Sequence, residues 1–188
     1  MACNLTLGRA VPCKDVVGGI KAVYFINHGT TLTYNSTDTD ALDDIQTNDS
    51  SPAAITALKY EVKGNSSFEQ TITASRENGT AFFEQTLNLT LTKLTKEDHK
   101  ELKLLTYGRP HVVIHDYNGN AFLMGAEHGA DVSGGTIVTG AAMGDLSGYT
   151  LTLTAQEQVP ANFILDATEA DPFAGLTTTA TVTSGTNS

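Results

Sequence analysis

Apolar and polar side chains alternate along several short stretches of this chain, and this period of two most constrains its fold. The alternation is clearest at 58–63, 68–74, 83–92 and 149–154. Successive side chains of a β-strand point to opposite faces, so such stretches are typical of strands with one buried face. The chain also contains 28 Thr, a β-branched residue that suits a pleated surface better than a helix. The sequence therefore predicts a mainly β fold.

Turn residues separate these stretches and indicate antiparallel pairing. Asn-Gly occurs at 78–79 and 118–119, and both residues tolerate the positive φ of a tight hairpin turn. The polar stretch 64–67 predicts a further hairpin between 58–63 and 68–74. The segment 129–148 is rich in Gly, which predicts either a loop or a weakly packed hairpin.

Two further segments have recognisable patterns. The apolar run 22–26 predicts a central strand that is buried on both faces. Thr95 and Asp98 have the spacing of a capping box, and Leu102 and Leu105 then follow at helical spacing. We expect one amphipathic helix at about 95–106.

Two stretches follow neither period. Residues 35–53 contain five Asp among Ser, Thr and Asn, which predicts a long exposed loop with one helical turn near 42–46. Residues 167–188 are rich in Thr, Ala and Gly, which predicts a loose C-terminal extension. We expect both stretches to be mobile in a monomer. With 188 residues, the chain is predicted to form a single domain over 1–166.

The charge is strongly acidic and unevenly distributed. The net charge is −10, and all basic residues lie at or before Arg109. Proteins that grip DNA neutralise several phosphates with basic side chains, so the later half is excluded as a DNA-gripping surface. The acids of that half are Asp116, Glu127, Asp131, Asp145, Glu157, Asp166, Glu169 and Asp171.

No pattern in the sequence predicts catalysis or a bound cofactor. His111 and His115 lie four residues apart on a predicted strand, which separates them by roughly 13 Å, too far to share a metal. Four closely spaced acids, Asp38, Asp40, Asp43 and Asp44, could suggest a calcium loop. The Gly at the sixth position and the terminal Glu of an EF-hand are both missing, so we interpret these acids as part of a solvated loop. Asp145 precedes Leu-Ser-Gly, which is not a nucleophile elbow. We predict no enzyme, no cofactor and no metal site.

The N-terminal residues resemble no export signal. They show neither a basic region nor an apolar run of the required length, so we expect no secretory signal peptide. A run of about 18 apolar residues is also missing, so no membrane helix is expected. Cys3 and Cys13 are interpreted as reduced, small apolar residues that would pair only on export.

Four stretches carry a resemblance to a known family: Gly64–Gln70, Asn88–Leu102, Arg109–Val113 and Ala141–Glu157. In them the chain resembles virion structural proteins of phages, most closely the tail tube proteins of long-tailed bacteriophages. The similarity covers most of residues 1–166. It implies an antiparallel β-sandwich or barrel with one flanking α-helix and long loops.

The resemblance also implies how such a subunit works. Tail tube proteins form hexameric rings that stack into a conduit for DNA. The implied partners are further copies of the chain, a tail tip or baseplate, a terminator, a sheath where the tail has one, and passing DNA that is not specifically bound. The implied location is the virion tail, after assembly in the host cytoplasm.

The charge pattern agrees with a conduit on separate grounds. Acids repel DNA over a Debye length of about 8 Å at physiological salt, whereas basic side chains would slow its passage. We therefore expect an acidic lumen. The candidate lumen residues are Asp131 and Asp145, with Asp116 and Glu127 behind them.

Two alternatives have the same composition. A head-decoration or head–tail connector protein would be equally acidic and β-rich, but it would not polymerise into long tubes. A secreted β-sandwich adhesin or carbohydrate-binding module usually displays exposed aromatic platforms and an export signal. The chain contains no Trp.

Overall fold

A computed structural model describes residues 8–9, 13–34, 41–47, 54–62 and 65–185 of the protein. These residues form twelve strands and one helix. In chain order the elements are β1 (Ile20–Ile26), β2 (Thr30–Tyr34), β3 (Ala41–Thr47), β4 (Ile55–Glu61), β5 (Ser67–Ser75), β6 (Thr80–Thr92), α1 (Lys96–Tyr107), β7 (His111–Asp116), β8 (Ala121–Met124), β9 (Asp131–Val138), β10 (Gly148–Glu157), β11 (Asn162–Ile164) and β12 (Ala180–Ser184).

The strands form two sheets. Sheet A has eight strands in the order β12-β4-β1-β7-β8-β11-β3-β2, and sheet B has four in the order β5-β6-β10-β9. The pairing is antiparallel except between β11 and β3 and between β12 and β4. Two mostly antiparallel sheets with one helix confirm the predicted fold class.

Strand β1 lies in the middle of sheet A, and its side chains enter two separate cores. Tyr24 and Ile26 point into the first core, which is formed within sheet A. Val23 and Phe25 point into the second core, where sheet A packs on Leu87 and other residues of sheet B. A strand that is buried on both faces reads as a continuous apolar run, and this confirms the expectation for 22–26.

The helix begins and ends close to its predicted limits. The Thr95 hydroxyl accepts a hydrogen bond from the Asp98 N–H at 3.0 Å, which caps the first turn. Leu102 is buried and Leu105 packs against the second core. Gly108 N–H donates to carbonyls of the last turn, where the helix ends.

Sheet B contains two predicted hairpins. β5 pairs with β6 across the turn at 76–79, and β9 pairs with β10, so the Gly-rich segment is a hairpin rather than a loop. The predicted hairpin between β4 and β5 is wrong, because β4 lies in sheet A and β5 in sheet B. Both strands have the expected alternation, but period two does not specify which strand is the partner.

The predicted loop at 35–53 is wrong where the structure describes it. Residues 41–47 form strand β3, and Leu42 and Ile45 are fully buried in the first core. Asp44 is also buried, because it accepts hydrogen bonds that offset the loss of water. The residues 35–40 and 48–53 of this prediction lie outside the described residues, as do Asp38 and Asp40.

The C-terminal segment is packed rather than loose as far as residue 185. Phe173 is buried and its ring meets Tyr24 edge-on, with centroids 5.2 Å apart. Farther along, β12 adds to the edge of sheet A beside β4. The predicted boundary at 166 therefore does not separate a loose extension from the domain in the described part. Aromatic burial at Phe173 outweighs the Thr- and Ala-rich composition around it.

Within the described ranges, no helix is both long and apolar enough to cross a membrane.

Candidate assembly surface

The outer face of sheet B is a polar surface made largely of threonines, which we call the threonine face. Alternate residues of each strand point away from the second core, with one shift of the alternation at Ser133 in β9. The register places these residues in rows across the sheet. The threonine face consists of Ser67, Glu69, Thr71, Thr73, Ser75, Thr80, Phe82, Glu84, Thr86, Asn88, Thr90, Thr92, Asp131, Gly134, Thr136, Val138, Gly148, Thr150, Thr152, Thr154 and Gln156. Phe82 and Val138 are its large apolar members.

Side-chain hydrogen bonds link neighbouring strands across the threonine face. The Thr152 hydroxyl donates to Asn88 Oδ1 at 3.0 Å, and the hydroxyls of Thr136 and Thr150 are 2.6 Å apart. Such pairs stabilise neighbouring strands without needing apolar cover. The face is therefore built to remain polar.

The sheet ends in two edge strands, β5 and β9. Most of their side chains are exposed, including Ile72 at 68% and Ile137 at 57%. Three successive antiparallel pairings separate the two edges, so β5 and β9 run in opposite directions. Edge strands carry backbone N–H and C=O groups able to pair with another chain.

Every charged residue on the threonine face is acidic. Glu69, Glu84 and Asp131 lie on it, and none of the four described strands of sheet B contains a Lys or Arg. Glu69 and Asp131 occupy the same row, at opposite edges of the sheet, because both align with the Thr86–Thr154 pair. One copy thus brings three carboxylates and no cation to this face.

The four predicted lumen acids are scattered over the molecule. Asp131 lies on the threonine face, at the start of edge strand β9. Asp145 lies in the turn between β9 and β10, where its carboxylate accepts the N–H groups of Ala142 at 2.8 Å and Ala141 at 3.0 Å. These two hydrogen bonds hold the pKa of Asp145 below its ordinary value. Asp145 therefore supports the turn.

Asp116 also supports a turn, at the end of β7 in sheet A. Its carboxylate accepts the backbone N–H of Asn118 at 2.9 Å and of Asn120 at 2.7 Å. Burial raises the pKa of Asp116, but hydrogen bonds from Asn120 and Asn118 outweigh burial, so the pKa lies below its ordinary value. This carboxylate closes the predicted Asn-Gly hairpin.

Glu127, the fourth predicted acid, meets His128 and Glu157 at the turn between β8 and β9. The ligand atoms of the three side chains all lie within 4.8 Å of one another. Glu157 Oε1 accepts the backbone N–H of Glu127 at 3.1 Å and of His128 at 3.0 Å. Glu157 Oε2 lies 3.1 Å from His128 Nδ1. We call these three residues the turn cluster.

The two histidines of β7 contact different carbonyls. His111 Nδ1 lies 2.6 Å from the Gly125 carbonyl, and His115 Nε2 lies 3.0 Å from that of Thr168. Burial lowers the pKa of both imidazoles, and the carbonyl contacts oppose this shift only in part.

Sequence reasoning missed Glu69 and Glu84, although their signal was present. Each alternates with an apolar neighbour, Phe68 and Phe83, that the period-two pattern assigns to the opposite face. It also missed the turn cluster, since Glu157 is 29 residues from His128 in the chain. Cys13 is exposed and unpaired among the described residues, and Cys3 lies outside them.

The chain matches no protein-family model, no curated protein and no solved structure.

Proposed function

We propose that this chain is a virion structural protein, the tail tube subunit of a long-tailed phage, which stacks as hexameric rings into a DNA conduit with an acidic lumen. The observation that supports it most is the threonine face: a polar, cation-free sheet surface with an open strand edge on each side. The proposed location is the virion tail, after assembly in the host cytoplasm.

The edges of sheet B fit ring closure. Copies related by rotation about an axis along the strands bring β9 of one subunit beside β5 of the next. Because β5 and β9 run in opposite directions, this junction is antiparallel, like the pairings within the sheet. Repetition around the ring would pair both edges of sheet B and leave neither of them open to uncontrolled aggregation.

The charges fit a passage for DNA. Each subunit would bring Glu69, Glu84 and Asp131 to the lumen with no basic residue on the same strands. Grooves lined by Lys and Arg bind DNA because these side chains replace the counterions that surround the phosphates. A wall of hydroxyls and carboxylates offers DNA no such exchange, so DNA would slide without being held.

Microscopy of the purified protein tests the assembly. We expect rings, and tubes at high concentration or on a tail-tip nucleus, by negative stain and light scattering. A reconstruction of the tube should place the threonine face on the lumen. A persistent monomer under all nucleating conditions, or a lumen lined by Lys and Arg, would contradict the proposal.

Two charge-reversal variants test whether the threonine face lines the lumen. Glu69→Lys/Glu84→Lys/Asp131→Lys changes the threonine face, and Glu77→Lys/Glu97→Lys/Glu101→Lys makes the same charge change at exposed positions elsewhere. Both variants should form tubes. Short duplex DNA bound by the first should resist nuclease, because it lies inside the tube, and should be released by salt. DNA bound by the second should be digested, and equal digestion in both would argue against an internal threonine face.

A further inference from the structure

We propose that the turn cluster, Glu127, His128 and Glu157, is a binding site for Zn²⁺. The site concerns the folded subunit alone and does not depend on ring assembly. One imidazole nitrogen and two carboxylates make a donor set that suits this ion.

The distances fit one ion. Zn²⁺ binds nitrogen and oxygen at about 2.0–2.2 Å in tetrahedral geometry, which places neighbouring ligand atoms about 3.3–3.6 Å apart. His128 Nδ1 and Glu157 Oε2 are 3.1 Å apart, and the carboxylate of Glu127 lies within 4.8 Å of both. A rotamer adjustment of the exposed Glu127 side chain completes the three ligands.

Glu157 is held in place before any ion arrives. It is only 2% exposed, and its Oε1 accepts two backbone N–H groups of the turn, from Glu127 and His128. These bonds leave Oε2 to face His128 Nδ1. Such anchoring of a ligating carboxylate is typical of metal sites, where surrounding hydrogen bonds orient the ligands.

The turn itself is also fixed. His111 Nδ1 contacts the Gly125 carbonyl at 2.6 Å, and the Gly125 N–H donates to Gln85 Oε1 at 3.0 Å. Gly125 and Gly129 both have positive φ, of 70° and 78°, where a side chain would clash with neighbouring backbone. The backbone that presents His128 therefore has little freedom to move away from Glu157.

The charges of the cluster favour a cation. Two carboxylates within 4.8 Å repel each other, and one of them is buried. A dication between the three groups would offset both negative charges. The side chain of His128 is 63% exposed, so an ion can enter from solvent and keep water as a fourth ligand.

A bound ion would join the two sheets. The turn that carries Glu127 and His128 leads from β8 of sheet A to β9 of sheet B, and Glu157 ends β10 of sheet B. Zn²⁺ would therefore stabilise the folded subunit by binding it in preference to the unfolded chain.

Calorimetric titration with ZnCl₂ tests the site. The protein should be untagged, freed of metal with a chelator, and carry Cys3→Ser and Cys13→Ser so that thiols do not compete. We expect one ion per chain. At a free Zn²⁺ concentration 100 times the Kd, the unfolding temperature should rise by about 5–10 °C. Absence of stoichiometric binding would overturn the proposal.

Variants assign the ligands. His128→Ala and Glu127→Gln change exposed side chains and should each weaken Zn²⁺ binding at least tenfold, with circular dichroism unchanged. Glu157→Gln should also abolish binding, but it alters a buried group that supports the turn, so it does not carry the test alone. His99→Ala, an exposed histidine on α1, should bind as the parent does. Equal affinity in all variants, or Ca²⁺ binding as tight as Zn²⁺ and indifferent to His128→Ala, would refute the assignment.

Discussion

Thr178 donates both its backbone N–H and its hydroxyl to the buried carboxylate of Asp44, each at 2.8 Å. Asp44 lies in β3 and Thr178 just before β12, 134 residues later. This contact attaches the C-terminal segment to the first core, together with the burial of Phe173 and the pairing of β12 with β4.

Removal of the Asp44 carboxylate should therefore destabilise the whole domain. Asp44→Ala leaves the buried Thr178 N–H without its acceptor, and we expect a loss of about 2–3 kcal/mol in the free energy of unfolding. Asp43→Ala, at the next position of the strand, should change it by less than about 0.5 kcal/mol. Urea denaturation measures both, and similar losses in the two variants would show that the carboxylate is not responsible.

Acid should weaken the same contact. Burial raises the pKa of Asp44, but hydrogen bonds from Gln46, Thr178 and Ile45 outweigh it, so the pKa lies below its ordinary value. The stabilisation is then complete above the unfolded pKa of about 3.9 and is lost as pH falls through the folded pKa. Urea midpoints from pH 5 to pH 2 should fall less steeply for Asp44→Ala than for the parent chain.

His115 should produce a separate pH dependence nearer neutrality. Burial lowers its pKa from the ordinary 6.5, with Lys21 adding to the shift and the Thr168 carbonyl, Asp116 and Asp171 opposing it. The unfolded chain binds the proton more readily, so stability is present above about pH 6.5 and falls as pH drops toward the folded pKa. His115→Gln keeps an amide donor for Thr168 and should flatten the thermal-unfolding curve between pH 7 and 5. An unchanged slope would exclude His115 as its source.

Two adjacent glycines of β9 should respond differently to the same substitution. A Cβ on Gly135 would lie 2.5 Å from the Thr150 carbonyl oxygen of β10, whereas a Cβ on Gly134 meets nothing within 4 Å. We expect Gly135→Ala to cost about 1–3 kcal/mol and Gly134→Ala to be neutral or slightly stabilising. Chemical denaturation of the pair tests this, and equal effects would mean that β9 shifts freely on β10.

Hydrogen exchange should locate the assembly contacts. In the monomer, backbone amides on the open edges of β5 and β9 should exchange quickly, and amides of the central strand β1 slowly. If rings form through these edges, protection should rise in β5 and β9 and stay the same in β1. Equal protection of β5 and β9 in monomer and assembly would place the subunit contact elsewhere.

The sequence was sufficient to predict most strands and the pairs joined by Asn-Gly turns, but not the neighbours that are distant in the chain. Alternation identified β6 and β10, and the Thr95 cap identified the helix, because these signals are local. Strand β3 was missed because Asp43 and Asp44 interrupt its apolar pattern, and a buried Asp is explained only by Thr178, which is distant in the chain. The placement of β5 in sheet B likewise depends on contacts between residues that are distant in the chain, and the local alternation does not encode them.

The candidate surface shows the same limit. Asp131 lies on the threonine face because the register between β9 and β10 shifts at Ser133, where one extra residue reverses the alternation. Without this bulge, Asp131 would lie on the same face as Ile137, toward the second core. Gly134 and Gly135, which follow Ser133, are typical of a bulge, but they do not specify at which residue the register shifts. The acidic character could be predicted from composition, and period two could have placed Glu69 and Glu84, but the face on which Asp131 lies could not be predicted.

Strands β1 and β7 determine how the subunit unfolds. Neighbouring residues of β1, such as Val23 and Tyr24, belong to different cores, and the same holds for Val112 and Val113 of β7. Because the two cores share these strands, neither core can unfold while the other stays folded. Heating should therefore give one calorimetric transition with equal calorimetric and van't Hoff enthalpies. A destabilising substitution in β1 or β7 should lower the stability of the whole subunit and not of one core alone.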